Sequence, residues 1–142
     1  MELLSPAGNR EALTAAVKGG ANAVYLGLTA LNARKGAGNF APEALCEAVD
    51  FCHERNVRVY VTVNTLVKDA EFALLEEVAL SIARAGADGA IVQDVGVAAA
   101  LSQMLPSLPL HASTQMAVHN VSGVRALKKR GFVRAVLARE LT

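Results

Sequence analysis

The 142-residue sequence has no tryptophan and only two cysteines, and aromatic residues make up 4% of it. No apolar run approaches the roughly 18 residues that a membrane span needs. The first residues, MELLSPAGN, lack the basic and then apolar segments of a secretory signal. Cys46 and Cys52 are six residues apart in one predicted helix, which is neither a Cys-x-x-Cys pair nor a stacked pair. These absences predict a cytoplasmic protein with two free thiols.

The overall charge is close to balanced, since 14 basic and 13 acidic residues leave a net charge of +1. Bulk charge therefore neither indicates nor excludes a polyanionic partner. One local basic group, Lys128, Lys129, Arg130 and Arg134, could contact RNA phosphates. Basic residues at a helix C-terminus are also favoured by the helix dipole, and this second interpretation is the one we adopt.

Short β-rich runs alternate with longer helical patterns along the whole chain. The first predicted helix runs from about Asn9 to Lys18, with Asn9 as its N-cap, and Asn120 opens the last of five helices. Such alternation predicts an α/β fold with parallel strands joined by right-handed crossovers. Six strands are predicted, near Leu3 and Leu4 and over residues 23–27, 57–64, 89–94, 108–113 and 133–139.

The strand over residues 57–64, VRVYVTVN, helps to decide between an open sheet and a barrel. Its odd positions are all valine, whereas the other face carries Arg58, Tyr60, Thr62 and Asn64. An open sheet covered by helices on both sides needs two apolar faces. A barrel strand meets helices on one face and the barrel interior on the other, and the interior can turn polar towards a site. The pattern favours the barrel.

A complete (β/α)8 barrel takes about 250 residues and eight strands. We therefore expect residues 1–142 to form the N-terminal part of a (β/α)8-type barrel, an incomplete TIM-like barrel of about six strands. The first and last strands of such a sheet would keep unpaired backbone groups, and exposed edges of this kind recruit partners. Self-association is the expected result.

Each predicted strand leads into a polar or glycine residue, at the end where parallel α/β proteins bind their ligands. Taken singly, a polar residue at such a position commonly caps the next helix or ties a turn. Their convergence on one rim favours a site instead, and Arg139 followed by Glu140 is the expected charged pair. The candidate substrate-binding residues are Asn64, Gln93, Asp94, His111, Ser113, Thr114, Gln115, Arg139 and Glu140.

Common catalytic and binding motifs are absent from the sequence. It has no Gly-x-Gly-x-x-Gly or Walker-type loop and no His-Glu-x-x-His motif, so neither a nucleotide cradle nor a zinc site is predicted. A triad of Ser113, His111 and Asp94 can be written, but residues two apart on one strand lie about 7 Å apart at Cα, which hinders direct activation. No catalytic residue and no metal ligand is assigned.

Seven blocks of the sequence, in order, resemble the N-terminal region of the collagenase-like peptidases of peptidase family U32. The blocks are ELLSPAGN, GGANAVYLGL, ARKGAGNF, YVTVNT, GADGAIVQD, HASTQMAVHN and RAVLARELT. The resemblance implies a relation to proteases, to hydroxylases of a transfer-RNA wobble uridine or a ribosomal cytidine, and to proteins of ubiquinone hydroxylation. It also implies an iron–sulfur cluster in several members, on cysteines expected beyond Thr142, which Cys46 and Cys52 do not match.

The resemblance leaves three functions open. The first, which we favour, is that residues 1–142 belong to an iron–sulfur-dependent enzyme that hydroxylates RNA, either tRNA or rRNA, or a quinone. The second is a collagenase-like peptidase, and the third is a non-catalytic domain fragment. In each case we expect no cofactor within residues 1–142 and no turnover by this chain alone. The expected partner of the whole protein is RNA, a peptide or a small-molecule substrate.

Overall fold

A computed structural model describes residues 1–33 and 38–140 of the chain. Residues 34–37 of the ARKGAGNF block and residues 141–142 lie outside the described residues. Short 3-10 turns precede α3 and follow β5. Six strands and five helices alternate: β1 Leu4–Pro6, α1 Arg10–Lys18, β2 Ala23–Gly27, α2 Pro42–His53, β3 Arg58–Val63, α3 Phe72–Ala85, β4 Gly89–Val92, α4 Val95–Met104, β5 Leu110–Ala112, α5 Val121–Lys129 and β6 Phe132–Ala135.

All six strands are parallel and pair in the order β1-β2-β3-β4-β5-β6. A doubly wound sheet would reverse its order at a switch point. Because parallel crossovers are right-handed, a sequential order places every connecting helix on the same side of the sheet. The predicted α/β fold of parallel strand–helix repeats is therefore confirmed.

The two faces of the sheet have different partners. The valines of β3, Val59, Val61 and Val63, belong to the main core together with helix residues such as Leu45 and Leu75. The other face carries a smaller cluster built from strand residues, with Ala23, Tyr60 and Ile91 buried and Leu4 and Tyr25 packed against them. The division of β3 into a valine face and a mixed face thus follows the alternation of its sequence.

Asparagine caps fix two of the loops that follow strands. Asn9 accepts a hydrogen bond from the backbone of Ala12 at 2.8 Å and begins α1, and Asn120 accepts one from Gly123 at 2.8 Å and begins α5. Both caps satisfy amide groups that a helix leaves free at its start.

None of the described helices has the length and apolar character that crossing a membrane requires.

Strand β6 differs from its prediction. It begins at Phe132 and ends at Ala135, four residues before the predicted end. Its register with β5 shifts, since Leu110 pairs with Phe132 but His111 pairs with Arg134. The extra residue, Val133, makes a β-bulge. The strand stops early because the chain leaves β5 after residue 136: the amide of Ala138 donates to the carbonyl of Val118, in the loop before α5, at 2.9 Å.

Candidate ligand-binding cleft

A cleft of about 210 Å³ opens at the carboxyl ends of the strands, on the face that carries Tyr60 and Ile91. One wall comes from β1 and the residues after it, and the other from the segments after β5 and β6. None of the described residues that line it is charged. They are Leu4, Pro6, Ala7, Gly8, Tyr25, Leu26, Gly27, Asn32, Asn39, Thr62, Asn64, Ile91, Ser113, Thr114 and Val136.

A buried amide, Asn32, lies against the end of β2 in this cleft. Its side chain occupies the space next to Gly27, where an added Cβ would come within 1.9 Å of Asn32 Nδ2. The hydroxyl of Thr62 donates to Asn32 Oδ1 at 3.2 Å, and Asn32 Nδ2 donates to Asn39 Oδ1 at 2.6 Å. Asn32 is only 4% exposed. These bonds hold the amide in one orientation, and only glycine at position 27 leaves room for it.

Three residues that the sequence identified line the cleft. Asn64 Oδ1 accepts a hydrogen bond from the amide of Ala33 at 3.1 Å and so ties the loop after β2 to the end of β3. Ser113 Oγ accepts from the amide of Gln115 and donates to Gln115 Oε1, both at 3.3 Å. Asn64, Ser113 and Thr114 all line the cleft. Their role in binding substrate stays a prediction.

Three other candidates lie at the same edge of the sheet but outside the cleft lining. Gln93 is half-buried and Gln115 is exposed. Asp94 acts as the N-cap of α4: its Oδ1 accepts from the amides of Gly96 at 2.7 Å and Val97 at 3.1 Å. Its Oδ2 accepts from the amide of Val67 at 3.3 Å. The carboxylate of Asp94 is therefore taken up by backbone amides.

Arg139 and Glu140 do not form the expected charged pair. Both side chains are exposed in a turn, and the described residues offer the Arg139 guanidinium neither an ion pair nor a hydrogen bond. The expectation was wrong because β6 ends at Ala135, so that residue 139 no longer stands at the end of a strand.

His111 is on the cleft face of the sheet but is buried below the cleft. Its ring makes an edge-to-face contact with Tyr60, with 4.5 Å between ring centroids, and its Nδ1 is buried without a hydrogen-bond partner among the described residues. Burial, with a smaller effect of the Arg134 charge, lowers the pKa of His111 to about 4, so the ring is neutral at pH 7.

The triad of Ser113, His111 and Asp94 does not assemble. The hydroxyl of Ser113 is bonded to Gln115, and Asp94 caps α4. The described residues also contain no group of three or more His, Cys, Asp or Glu side chains that could hold a metal ion.

The two cysteines do not fit an iron–sulfur cluster. Cys46 and Cys52 both lie on α2, and Cys52 is buried in the main core. Burial raises the pKa of the Cys52 thiol to about 11, so at neutral pH it is protonated, whereas cluster iron is held by thiolates, usually four of them. This agrees with the mismatch between these cysteines and the cluster block that the resemblance implies.

The basic group near the end of α5 lies at the opposite end of the sheet from the cleft. Lys128, Lys129 and Arg130 are exposed there, at the C-terminal end of α5. Arg134 does not belong to this group, because the β-bulge at Val133 turns it to the inner face, where it pairs with Glu2.

Sequence reasoning missed three polar residues of the cleft: Asn32, Asn39 and Thr62. The loop between β2 and α2 was recognised as rich in Gly and Asn, but sequence alone does not show that it folds back over β2 and β3. Thr62 was placed on the mixed face of β3, and that signal could have identified it.

Sequential parallel strand–helix repeats and an uncharged cleft at the carboxyl ends of the strands define the class, a (β/α)-repeat protein of the kind that binds ligands at this end. The family model for peptidase family U32 matches residues 8–142. The chain belongs to peptidase family U32. A solved structure described as the U32 peptidase Mk0906 has the same fold, with a TM-score of 0.75 over 96% of this chain and 58% of that one, at 14% identity.

Relatives with different names match almost the entire chain. The chain is 37% identical to the 23S rRNA 5-hydroxycytidine C2501 synthase of Escherichia coli. The match covers 99% of this chain and 21% of that protein. The chain is 36% identical to tRNA hydroxylation protein P1 of Bacillus subtilis over 98% of its length, 33% of that protein. A collagenase of Porphyromonas gingivalis is 35% identical over 99% of the chain, again 33% of the relative. The chain thus spans a third or less of these three proteins.

The contact between Gly27 and Asn32 can be tested by enlarging the glycine. We expect Gly27→Ala to displace the Asn32 side chain and to lower the free energy of unfolding by about 1–3 kcal/mol, the usual cost of overpacking. Urea denaturation measures this change. In an Asn32→Ala background the space beside Gly27 is free, so Gly27→Ala should then lower the free energy of unfolding much less. An equal loss of stability in both backgrounds would contradict the contact.

The neutral state of His111 predicts how stability depends on pH. Its pKa is about 4 in the folded chain against 6.5 for the free side chain, so below pH 6.5 the unfolded chain takes up a proton that the folded chain does not. Stability should fall between pH 6.5 and 4, by on the order of 3 kcal/mol from this group. Urea denaturation at a series of pH values measures this fall. His111→Phe should remove the contribution of His111 to the slope of the free energy of unfolding against pH, while His119→Phe, at an exposed position, should not. If His111→Phe leaves that slope unchanged, the neutral state of His111 is refuted.

Proposed function

We propose that this chain is part of an enzyme that hydroxylates RNA, and that its cleft holds a single nucleobase. The proposal rests on the uncharged lining of the cleft and on the buried side-chain amide of Asn32, which hydrogen bonds hold in place. Proteins recognise unstacked bases by hydrogen bonds to their polar edges and by contacts to their faces. Amides and hydroxyls, which both donate and accept, suit those edges, and a neutral site avoids the cost of desolvating a charge.

The size of the cleft agrees with this ligand. Its volume of about 210 Å³ is below the roughly 300–1,000 Å³ of pockets for drug-sized ligands, so it suits one base better than a larger group. Tyr25 and Ile91 supply a ring and an apolar surface for the face of the base, and Asn64 and Ser113 stand at the rim for its edges. The chain's own contribution is to bind and orient the base.

The relatives support RNA as the substrate. Two of them are named for hydroxylation of rRNA and tRNA, and both match the chain over nearly its full length. We infer that residues 1–142 form the N-terminal part of a (β/α)8-type barrel in the whole protein, and that the protein acts in the cytoplasm, where its RNA substrate is found. Cys46 and Cys52 do not suit an iron–sulfur cluster, so we propose that the cluster of the whole protein is bound outside residues 1–142.

Peptide hydrolysis is the second candidate, because one relative is named a collagenase. The arrangement of the cleft disfavours it. A hydrolytic site needs a nucleophile within hydrogen-bond reach of a base. The Ser113 hydroxyl instead bonds to Gln115, and the neutral ring of His111 packs on Tyr60.

Nucleoside titration of the chain, followed by amide chemical shifts, tests the proposal. We expect uridine or cytidine to give saturable shifts at cleft residues. Asn64→Ala should weaken the affinity roughly 5- to 10-fold, the value of one hydrogen bond. Gln93→Ala is the matched control, at the same edge but outside the lining, and should leave the affinity unchanged. Absence of saturable shifts, or casein cleavage that Ser113→Ala abolishes, would favour the other functions.

We further propose that the 142-residue chain self-associates through its sheet edges. Within the described residues, β1 pairs only with β2 and β6 only with β5, and Val133 on β6 is 68% exposed. Unpaired edge strands recruit further strands. Sedimentation should show a dimer or larger species at tens of micromolar, and Val133→Lys should shift it towards monomer. Leu80→Lys, at an exposed position on α3, is the control. A monodisperse parent monomer would contradict the proposal.

A further inference from the structure

A cluster of charged side chains lies at the amino ends of the strands, opposite the cleft. The Glu2 carboxylate receives Arg134 Nη1 on Oε1 at 2.6 Å and Nη2 on Oε2 at 3.4 Å. Arg58 Nη2 approaches Oε2 at 2.5 Å, and the Tyr60 hydroxyl donates to the carboxylate at 3.3 Å. Glu2 and Arg134 are 132 positions apart in the sequence, and five strands lie between them along the chain.

The environment strengthens this ion pair. The Glu2 side chain is 17% exposed and that of Arg134 is 36% exposed. The hydrogen bond from Arg134, aided by the positive charges of Arg134 and Arg58, lowers the pKa of Glu2, so the carboxylate is ionised at neutral pH. Paired, partly buried groups with two hydrogen bonds are worth more than the exposed ion pairs that contribute little to stability.

The pair joins parts of the sheet that backbone hydrogen bonds do not join. Glu2 lies two residues before Leu4, the first residue of β1, and Arg134 belongs to β6. In the described part of the chain these two strands are the edges of the sheet. Arg134 reaches Glu2 because of the bulge at Val133. Without the extra residue, the alternation that follows buried Phe132 would turn Arg134 towards the helices.

The same two edges lead to the two walls of the cleft. Pro6 follows Glu2 by four residues and Val136 follows Arg134 by two, and both line the cleft. A strand rises about 3.3 Å per residue, so the walls stand only roughly 7–13 Å from the ion pair. A change in the distance between the edges at the amino end is therefore transmitted to the cleft.

We propose that Glu2 and Arg134 form an ionic clasp that sets the width of the cleft by holding β1 at a fixed distance from β6. Both are positioning residues, since neither lines the cleft. Arg58 adds to the binding of Glu2 but lies on β3, inside the sheet, so it does not span the edges. The inference does not depend on which ligand the cleft binds.

A distance measurement across the cleft tests the clasp. Spin labels at Glu11→Cys, on α1 after β1, and Leu137→Cys, after β6, report the separation of the walls by double electron–electron resonance. Cys46→Ser removes the half-buried native thiol, and buried Cys52 is left in place. Glu2→Gln should lengthen the mean distance and broaden its distribution, because the neutral amide loses the charge-assisted hydrogen bonds to Arg134.

Three further variants separate the clasp from general destabilisation. Glu54→Gln breaks the exposed Arg55–Glu54 pair on neighbouring residues and should leave the distance unchanged. Arg58→Met removes one partner of Glu2 but keeps Arg134, and it should also leave the distance between the spin labels unchanged. The exchange Glu2→Arg with Arg134→Glu, made in the Arg58→Met background so that Arg58 does not repel the new arginine, keeps one ion pair between the edges and should restore the parent distance. An unchanged distance in Glu2→Gln, or an equal widening in Arg58→Met, would overturn the proposal.

Discussion

The structure depends on one constraint, the burial of a single face of each parallel strand under helices. The valines of β3, with Leu26 and Val92 on the neighbouring strands, pack into the helix-side core and leave the opposite face to side chains such as Tyr60. Since the strands follow one another without a reversal, all their carboxyl ends meet at one edge and all their amino ends at the other. A cleft and a charged cluster can then occupy opposite ends of the same face.

The two ends of this face differ in charge for a physical reason. At the carboxyl end, helix N-termini present free amides, and the side chains of Asn9, Asp94 and Asn120 are used to cap them. The one carboxylate among these caps is thereby kept out of the cleft, which stays neutral. At the amino end, the mostly buried Glu2 carboxylate pairs with the partly exposed Arg134 guanidinium, and the neighbouring His111 is held neutral by burial.

Membership of peptidase family U32 connects the chain to proteins with different named activities. Our proposal of binding rather than hydrolysis rests on two features of the described cleft. Its polar side chains are amides and hydroxyls, and the Ser113 hydroxyl bonds to Gln115 rather than to a base. One fold can support several activities when the residues at its site differ.

The sequence by itself determined the alternation of strands and helices, the caps at Asn9 and Asn120, and the two-faced character of β3, because these depend on local periodicity and side-chain chemistry. It also placed Asn64, Ser113 and Thr114 near the cleft, since strand ends are local features. Only the tertiary structure decided that the loop after β2 folds back so that Asn32 fills the space beside Gly27, and that a bulge turns Arg134 towards Glu2. The first depends on how a loop packs onto β2 and β3, and the second depends on one inserted residue. Neither feature leaves a periodic signal in the sequence.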